Sequence, residues 1–269
     1  MIAISLGIVI VIIAASKGAK WHNDATYSCA ESYQDIKAID IKINVGEVFI
    51  KEGDEFHVEG NNLLKNGFES YVEDGTWIIK EQSDKNSDIE IFGFNISPEN
   101  FSFGYDNSPK ITVTVPKDFV SKEFNLDLGA GVIQAEAIRT VDGKFTVGAG
   151  ALKIDDLIVT GKSEYSVGAG EMEMNQIEAS NIELSCGIGN VNMTGTITGN
   201  SKVSCGIGNI EMNLEGNAED YSYQVDCGIG SVKINEESYH GIVKQSINSN
   251  ANDGFSLDCG IGKISLKIN

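Results

Sequence analysis

The stretch Leu184-Ser185-Cys186-Gly187-Ile188-Gly189-Asn190-Val191-Asn192-Met193 decides the fold. Leu184 and Cys186 flank a serine, and Val191 and Met193 flank an asparagine. Apolar residues at every second position mark a strand with one buried face. Two such strands are joined here by Gly-Ile-Gly, and the apolar parity changes across it. That change places a turn at Gly189-Asn190, where glycine would supply a positive φ at little cost.

The pattern recurs. Seven G-x-G elements occur, at Gly129 and Gly131, Gly148 and Gly150, Gly168 and Gly170, Gly187 and Gly189, Gly206 and Gly208, Gly228 and Gly230, and Gly260 and Gly262. These structural turns are spaced by 19–22 residues, except where 32 separate the last two. The position two after each second glycine holds Ile133, Leu152, Met172, Val191, Ile210, Val232 or Ile264. The position before each first glycine holds Leu128, Val147, Val167, Cys186, Cys205, Cys227 or Cys259.

A strand–turn–strand unit cannot bury its own apolar face, but a parallel stack of such units can. The expected fold is all-β: a parallel β-solenoid, right-handed by the usual preference of parallel crossovers, with rungs of about 19 residues. The regular solenoid is expected over 124–269, with an insertion at 235–256 that breaks the rung spacing. That insertion is expected to cover the open edge of the C-terminal strand, residues 263–269, unless the edge pairs with another chain. Residues 36–123 read as an irregular β region with N-terminal rungs: 39–43 alternate, 45–50 resemble a degenerate rung, and 76–80 and 111–115 read as strands. Phe92, Phe94, Phe101, Phe103 and Tyr105 surround Ser97-Pro98 and fit a hairpin with its rings on one face. They would either cap the N-terminal end of the stack or form a contact surface.

Residues 1–16, MIAISLGIVIVIIAAS, are uncharged and apolar. They read as a short hydrophobic helix, a membrane anchor or uncleaved signal, followed by a juxtamembrane linker over 17–35. As a helix they would span about 24 Å, short of the ~30 Å hydrocarbon core, and no basic region precedes them.

Composition narrows the function classes. Thirty glycines with three prolines exclude collagen. The formal net charge of −19 and a sole arginine, Arg139, leave no basic stripe for nucleic acid. The cysteine count of five is odd, and no Cys-x-x-Cys occurs, which argues against a complete disulfide framework and a zinc ribbon. Cys186, Cys205, Cys227 and Cys259 share a column with Leu128, Val147 and Val167, so they are expected as a buried ladder of small apolar side chains. The β-roll calcium repeat, the dinucleotide fingerprint and the phosphate loop all fail in detail at these glycines. No catalytic, cofactor-binding or metal-binding residue is nominated, and no enzymatic activity is expected.

The C-G-I-G units at 186–189, 205–208, 227–230 and 259–262, the G-A-G units before them, Val-Pro-Lys-Asp-Phe at 115–119 and Ile-Lys-Ile-Asn-Val-Gly-Glu-Val at 41–48 together resemble the DUF4097 family, bacterial β-strand repeat proteins known as "putative adhesins". The resemblance covers residues 36–269. It implies a surface-associated, often membrane-anchored β-solenoid with no established enzymatic activity, and some relatives are tied to envelope stress. The expectation is therefore an extracytoplasmic, membrane-anchored bacterial surface protein that binds or scaffolds. The alternative is a regulatory module in an envelope stress response that contacts a membrane signalling partner. Expected partners are an unknown protein or cell-envelope ligand, the membrane through residues 1–16, and further copies end to end.

Overall fold

The structure, a computed structural model, describes residues 26–64, 67–81, 89–91, 94–96 and 109–269. These residues form an all-β protein without an α-helix. The hydrophobic segment 1–16 and residues 17–25 lie outside the described residues, and much of the remaining range read as linker is strand Thr26–Tyr33. Among the described residues no helix is long and apolar enough to cross a membrane.

Two parallel ladders build the body. Before the glycine corner, Phe145 pairs with Tyr165, Tyr165 with Leu184, and Leu184 with Val203. After it, Val48 pairs with Ile133, Ile133 with Leu152, Leu152 with Met172, and Met172 with Val191. Each inner column is fully buried. Aromatic side chains stack where the column allows it: the rings of Phe145 and Tyr165 are nearly parallel, with centroids 5.4 Å apart. The period-two alternation read from the sequence is therefore the division between core and solvent. The region read as irregular joins the same ladders: strand Ala38–Gly53 pairs in register with strand Ser121–Val147, including Val45 with Ala130 and Gly46 with Gly131.

The order of units along the stack departs from the order in sequence. Strand Asp253–Cys259 pairs with Asn200–Cys205 on one side and Tyr221–Cys227 on the other. Strand Lys263–Ile268 likewise lies between Asn209–Leu214 and Ser231–Ile234. The last unit in sequence is thus interior, and the unit before it ends the stack. The insertion does close an edge, but not that of the C-terminal strand: Val243–Ile247 runs antiparallel on Tyr221–Cys227, and Glu237–His240 on Ser231–Ile234. The C-terminal unit begins at Asp253, inside the range read as insertion.

The N-terminal end mirrors this plan. Strand Ala38–Gly53 lies between Ser121–Val147 and the pair Thr76–Glu81 and Lys110–Pro116. Phe68–Glu73 and Phe56–Leu64 close that pair in antiparallel fashion, and Thr26–Tyr33 adds to the latter. A hairpin needs only a tight turn, whereas a parallel partner needs a whole crossover; each end is closed by one tight hairpin, 68–81 or 231–240, and by one antiparallel strand from farther along the chain. The aromatic cap here is Trp77, fully buried between Tyr33 and Phe56 with centroids at 5.3 and 6.0 Å, and Phe119 against Phe56 at 4.8 Å. Phe92, Phe101, Phe103 and Tyr105 lie outside the described residues. Phe94 opens a short strand, Phe94–Ile96, paired with Ile89–Ile91. Ser97-Pro98 lies outside the described residues.

Glu81 holds the first corner. Elsewhere a corner N–H donates to a corner carbonyl of the neighbouring unit, as Ile207 does to Gly187 at 2.8 Å. At Asn44-Val45 the acceptor is one carboxylate oxygen of Glu81, at 2.8 and 2.9 Å. Burial pushes this carboxyl up to about 7, and the two N–H groups pull it down only in part.

Two outcomes are expected. A chain ending at Asn252 should lose amide-exchange protection throughout 221–247 and aggregate, because two inner strand edges open at once. Glu81→Gln keeps an oxygen acceptor and removes a buried charge. The folded Glu81 carboxyl titrates above its unfolded value, so wild-type stability is fullest below about pH 4.5 and falls as pH rises through 7. The variant should therefore be more stable than wild type by about 3 kcal/mol at pH 8, with no gain at pH 4, as read from urea unfolding.

Candidate functional site

The seven glycine corners lie on one edge of the stack. Backbone hydrogen bonds run along it from Ala149 to Gly129, Ala169 to Gly148, Ile188 to Gly168, Ile207 to Gly187, Ile261 to Gly206 and Ile229 to Gly260, at 2.7–2.8 Å. The turn reading is kept, but its cause differs from the expected one. Of the fourteen corner glycines only Gly131 has a positive φ. The reason for glycine is close approach. A Cβ on Gly208 would press into the carbonyl oxygen of Gly189 and stand 2.9 Å from the Cys186 sulfur. Gly262 and Gly230 sit the same way over Cys205 and Cys259, at 2.7 and 2.9 Å.

Beneath these glycines lies the cysteine ladder. Its order in space is Cys186, Cys205, Cys259, Cys227. All four are buried, and all are free thiols. Burial pushes Cys259 up to about 11 and raises Cys227. Cys205 is raised by its hydrogen bond to Cys186 and by burial. These three thiols are protonated at neutral pH and are poor nucleophiles, whereas the hydrogen bond from Cys205 lowers Cys186. Among the described residues, no group of three or more His, Cys, Asp and Glu is placed to hold a metal ion.

Above the glycines stands the feature that the sequence reading passed over. Each corner carries one side chain, that of its middle residue. Ala130 and Ala169 are buried there. In the next four units of the stack the residue is isoleucine: Ile188, Ile207, Ile261 and Ile229 in spatial order. Ile207, Ile261 and Ile229 are 57%, 58% and 78% exposed. With glycine on both sides, they form an aliphatic ridge with no flanking side chain in the corner itself. Its signal in the sequence was an isoleucine repeated at a turn position, where polar residues are usual. A contiguous exposed apolar feature of this kind marks an interaction surface more often than an accident of folding.

Arg139, the sole arginine, lies elsewhere. It donates to Glu52 and Asp156, each at 2.9 Å, and so ties three neighbouring units together. With Glu52, Phe119 and Phe124 it borders a cavity of only about 10 Å³.

The sequence model of the family described as Toastrack DUF4097 matches residues 36–255. Solved structures similar to the chain include a "putative adhesin" from Bacteroides fragilis, 13% identical over 90% of this chain and 96% of that one, with a TM-score of 0.45. A "putative cell adhesion protein" from Clostridium sporogenes is 14% identical over 91% of this chain and 100% of that one, at 0.37. A "putative lipid binding protein" from Parabacteroides distasonis is 16% identical over 92% of this chain and 97% of that one, at 0.31. No curated protein matches the chain. The fold described above rests on the ladders alone, not on these loose similarities.

Gly208→Ala should destabilise the protein by about 3 kcal/mol, since backbone rather than a flexible side chain must give way. Ile207→Ala, one residue away and exposed, should cost under about 0.5 kcal/mol. Urea unfolding of the two variants checks the contrast.

Proposed function

The chain belongs to the Toastrack DUF4097 family, and we propose that it is a non-enzymatic, membrane-anchored, extracytoplasmic β-solenoid, right-handed in its coil, whose isoleucine ridge grips a partner protein or cell-envelope surface. In this reading the ladders over 121–214 are successive turns of one coil, and the last unit inserts between two of its predecessors. Residues 1–16 tether it, and the stack carries the ridge away from the membrane.

The observation that supports the reading is the exposure of Ile207, Ile261 and Ile229 in an unbroken row. Row spacing is that of neighbouring strands, about 4.8 Å. A β-branched side chain on a fixed corner has little χ1 freedom to lose on binding. The ridge therefore offers apolar area at a low ordering cost. Net charge gives it a further role. A chain at −19 is repelled by anionic surfaces, so close adhesion needs short-range apolar contact.

The triple variant Ile207→Ser, Ile229→Ser and Ile261→Ser should fold with an unchanged melting temperature and lose at least about tenfold in binding to whole cells. Undiminished binding by the folded variant would remove the ridge from this role.

A further inference from the structure

A second feature lies on the strand face before the corner, where outward side chains also form columns. One column begins Lys144, Glu164, Glu183, Lys202. It is charged at every step, and Lys144–Glu164 and Glu183–Lys202 approach to 3.3 and 3.5 Å. The same column continues through Ser256, Gln224 and Ser246. At that point charge stops.

There the surface sinks into a groove of about 420 Å³ between strands Asn200–Cys205, Asp253–Cys259, Tyr221–Cys227 and Val243–Ile247. Its volume falls in the ~300–1,000 Å³ range of small-molecule sites. Hydroxyl and amide groups line it: Asn200, Ser222, Gln224, Ser246, Ser249 and Ser256. Phe255 and Tyr223 lie buried beneath them. Gly254 keeps the middle open, since a Cβ there would press on the Ser222 hydroxyl. The side chains of Gln224, Ser246, Ser249 and Ser256 have no hydrogen-bond partner among the described residues.

We propose that this groove is a binding site for a neutral oligosaccharide. The lining chemistry decides the class. No acidic residue is among the described residues that line the groove, in a chain with 39 acids, so it does not suit a cation. Its one cation, Lys202, is engaged by Glu183, so it does not suit a polyanion. A peptide added as a strand needs an open sheet edge, and this groove lies over the face of Asn200–Cys205, Asp253–Cys259 and Tyr221–Cys227, each paired on both sides. Serine hydroxyls both donate and accept, and glutamine and asparagine amides do both in fixed directions. A row of such groups, repeating at the strand spacing of about 4.8 Å, matches a chain of sugar hydroxyls.

The site is independent of the ridge, because it uses a strand face rather than the corner. The test is calorimetric titration of the full chain with chitohexaose, cellohexaose and isomaltohexaose, with a heparin hexasaccharide as the anionic control. At least one neutral hexasaccharide should bind with a Kd below about 1 mM, and the heparin fragment should not compete. Ser256→Arg, at an exposed outward position, should weaken that binding at least tenfold with an unchanged melting temperature. Gln224→Ala should weaken it about threefold and serves if the arginine variant fails to fold. The ridge triple variant should bind the sugar as wild type does. Absence of binding by all three neutral sugars at 5 mM would overturn the proposal, as would equal competition by heparin or full affinity in folded Ser256→Arg and Gln224→Ala.

Discussion

In-register stacking of backbone on backbone at the glycine corners is the constraint on which the rest depends. Neighbouring parallel strands lie about 4.8 Å apart, and at a tight corner that spacing puts the carbonyl oxygen of one unit where a Cβ of the next would be. Gly208 against Gly189 and Gly262 against Gly208 show the same contact in successive units. Two of three corner positions are thereby denied a side chain. Everything the corner can present to solvent is left to the third, and everything beneath it must be small enough to sit under bare backbone. The single outward column at the corner and the buried column beneath it are the outer and inner consequences of one packing rule.

A stack of this kind has two vulnerable ends, since an unpaired strand edge recruits other chains. The protein sets its first and last units one step inside the stack and ends it on units whose chain continues into a hairpin. Ile268 at the C-terminus donates to the Asn235 side chain in the turn of the closing hairpin, at 2.8 Å. The unit that ends the stack is therefore clamped to the unit it covers. The arrangement makes folding less local. Strand Tyr221–Cys227 finds its parallel neighbour only when Asp253–Cys259 has arrived, so loop closure precedes the contacts that reward it.

How much of this was legible in the sequence follows from what repeats. The alternation around each G-x-G fixed which side chains face inward, and the columns Leu184–Val203 and Val191–Ile210 are those the pattern gave. The order of the last two units was not legible, because their columns are chemically interchangeable. Leu257 and Val225 fit beside Val203 equally well, and the 32-residue spacing announced an insertion without saying where the chain returned. The cap around Trp77 was hidden for another reason. Tyr33, Phe56, Trp77 and Phe119 come from separate segments, and only tertiary pairing brings them together. The groove has the same origin, since Ser256 lies between Lys202 and Gln224 only in the rearranged order. The ridge, by contrast, was in plain sight, but a turn position tolerates many residues and so carries little expectation.

The surface ladders show where function has room to act. Lys144 with Glu164 and Glu183 with Lys202 are favourable neighbours, yet Glu164 stands directly opposite Glu183. All four are well exposed, and exposed ion pairs contribute about 0–1 kcal/mol. The columns of buried Ile, Leu, Val and Met hold the stack, and its outer face is nearly free of that duty. Stacking therefore does not require that the corner of four successive units carry isoleucine, nor that a charged column turn to serine and glutamine over the last units. Where a surface is released from structural demand, departures from its prevailing charge are best explained by what they touch. The two departures found here differ in chemistry, one aliphatic and one hydroxylic, and lie on different faces of the same end. That separation permits a neutral polar ligand and an apolar partner to be held at once without competing for the same atoms.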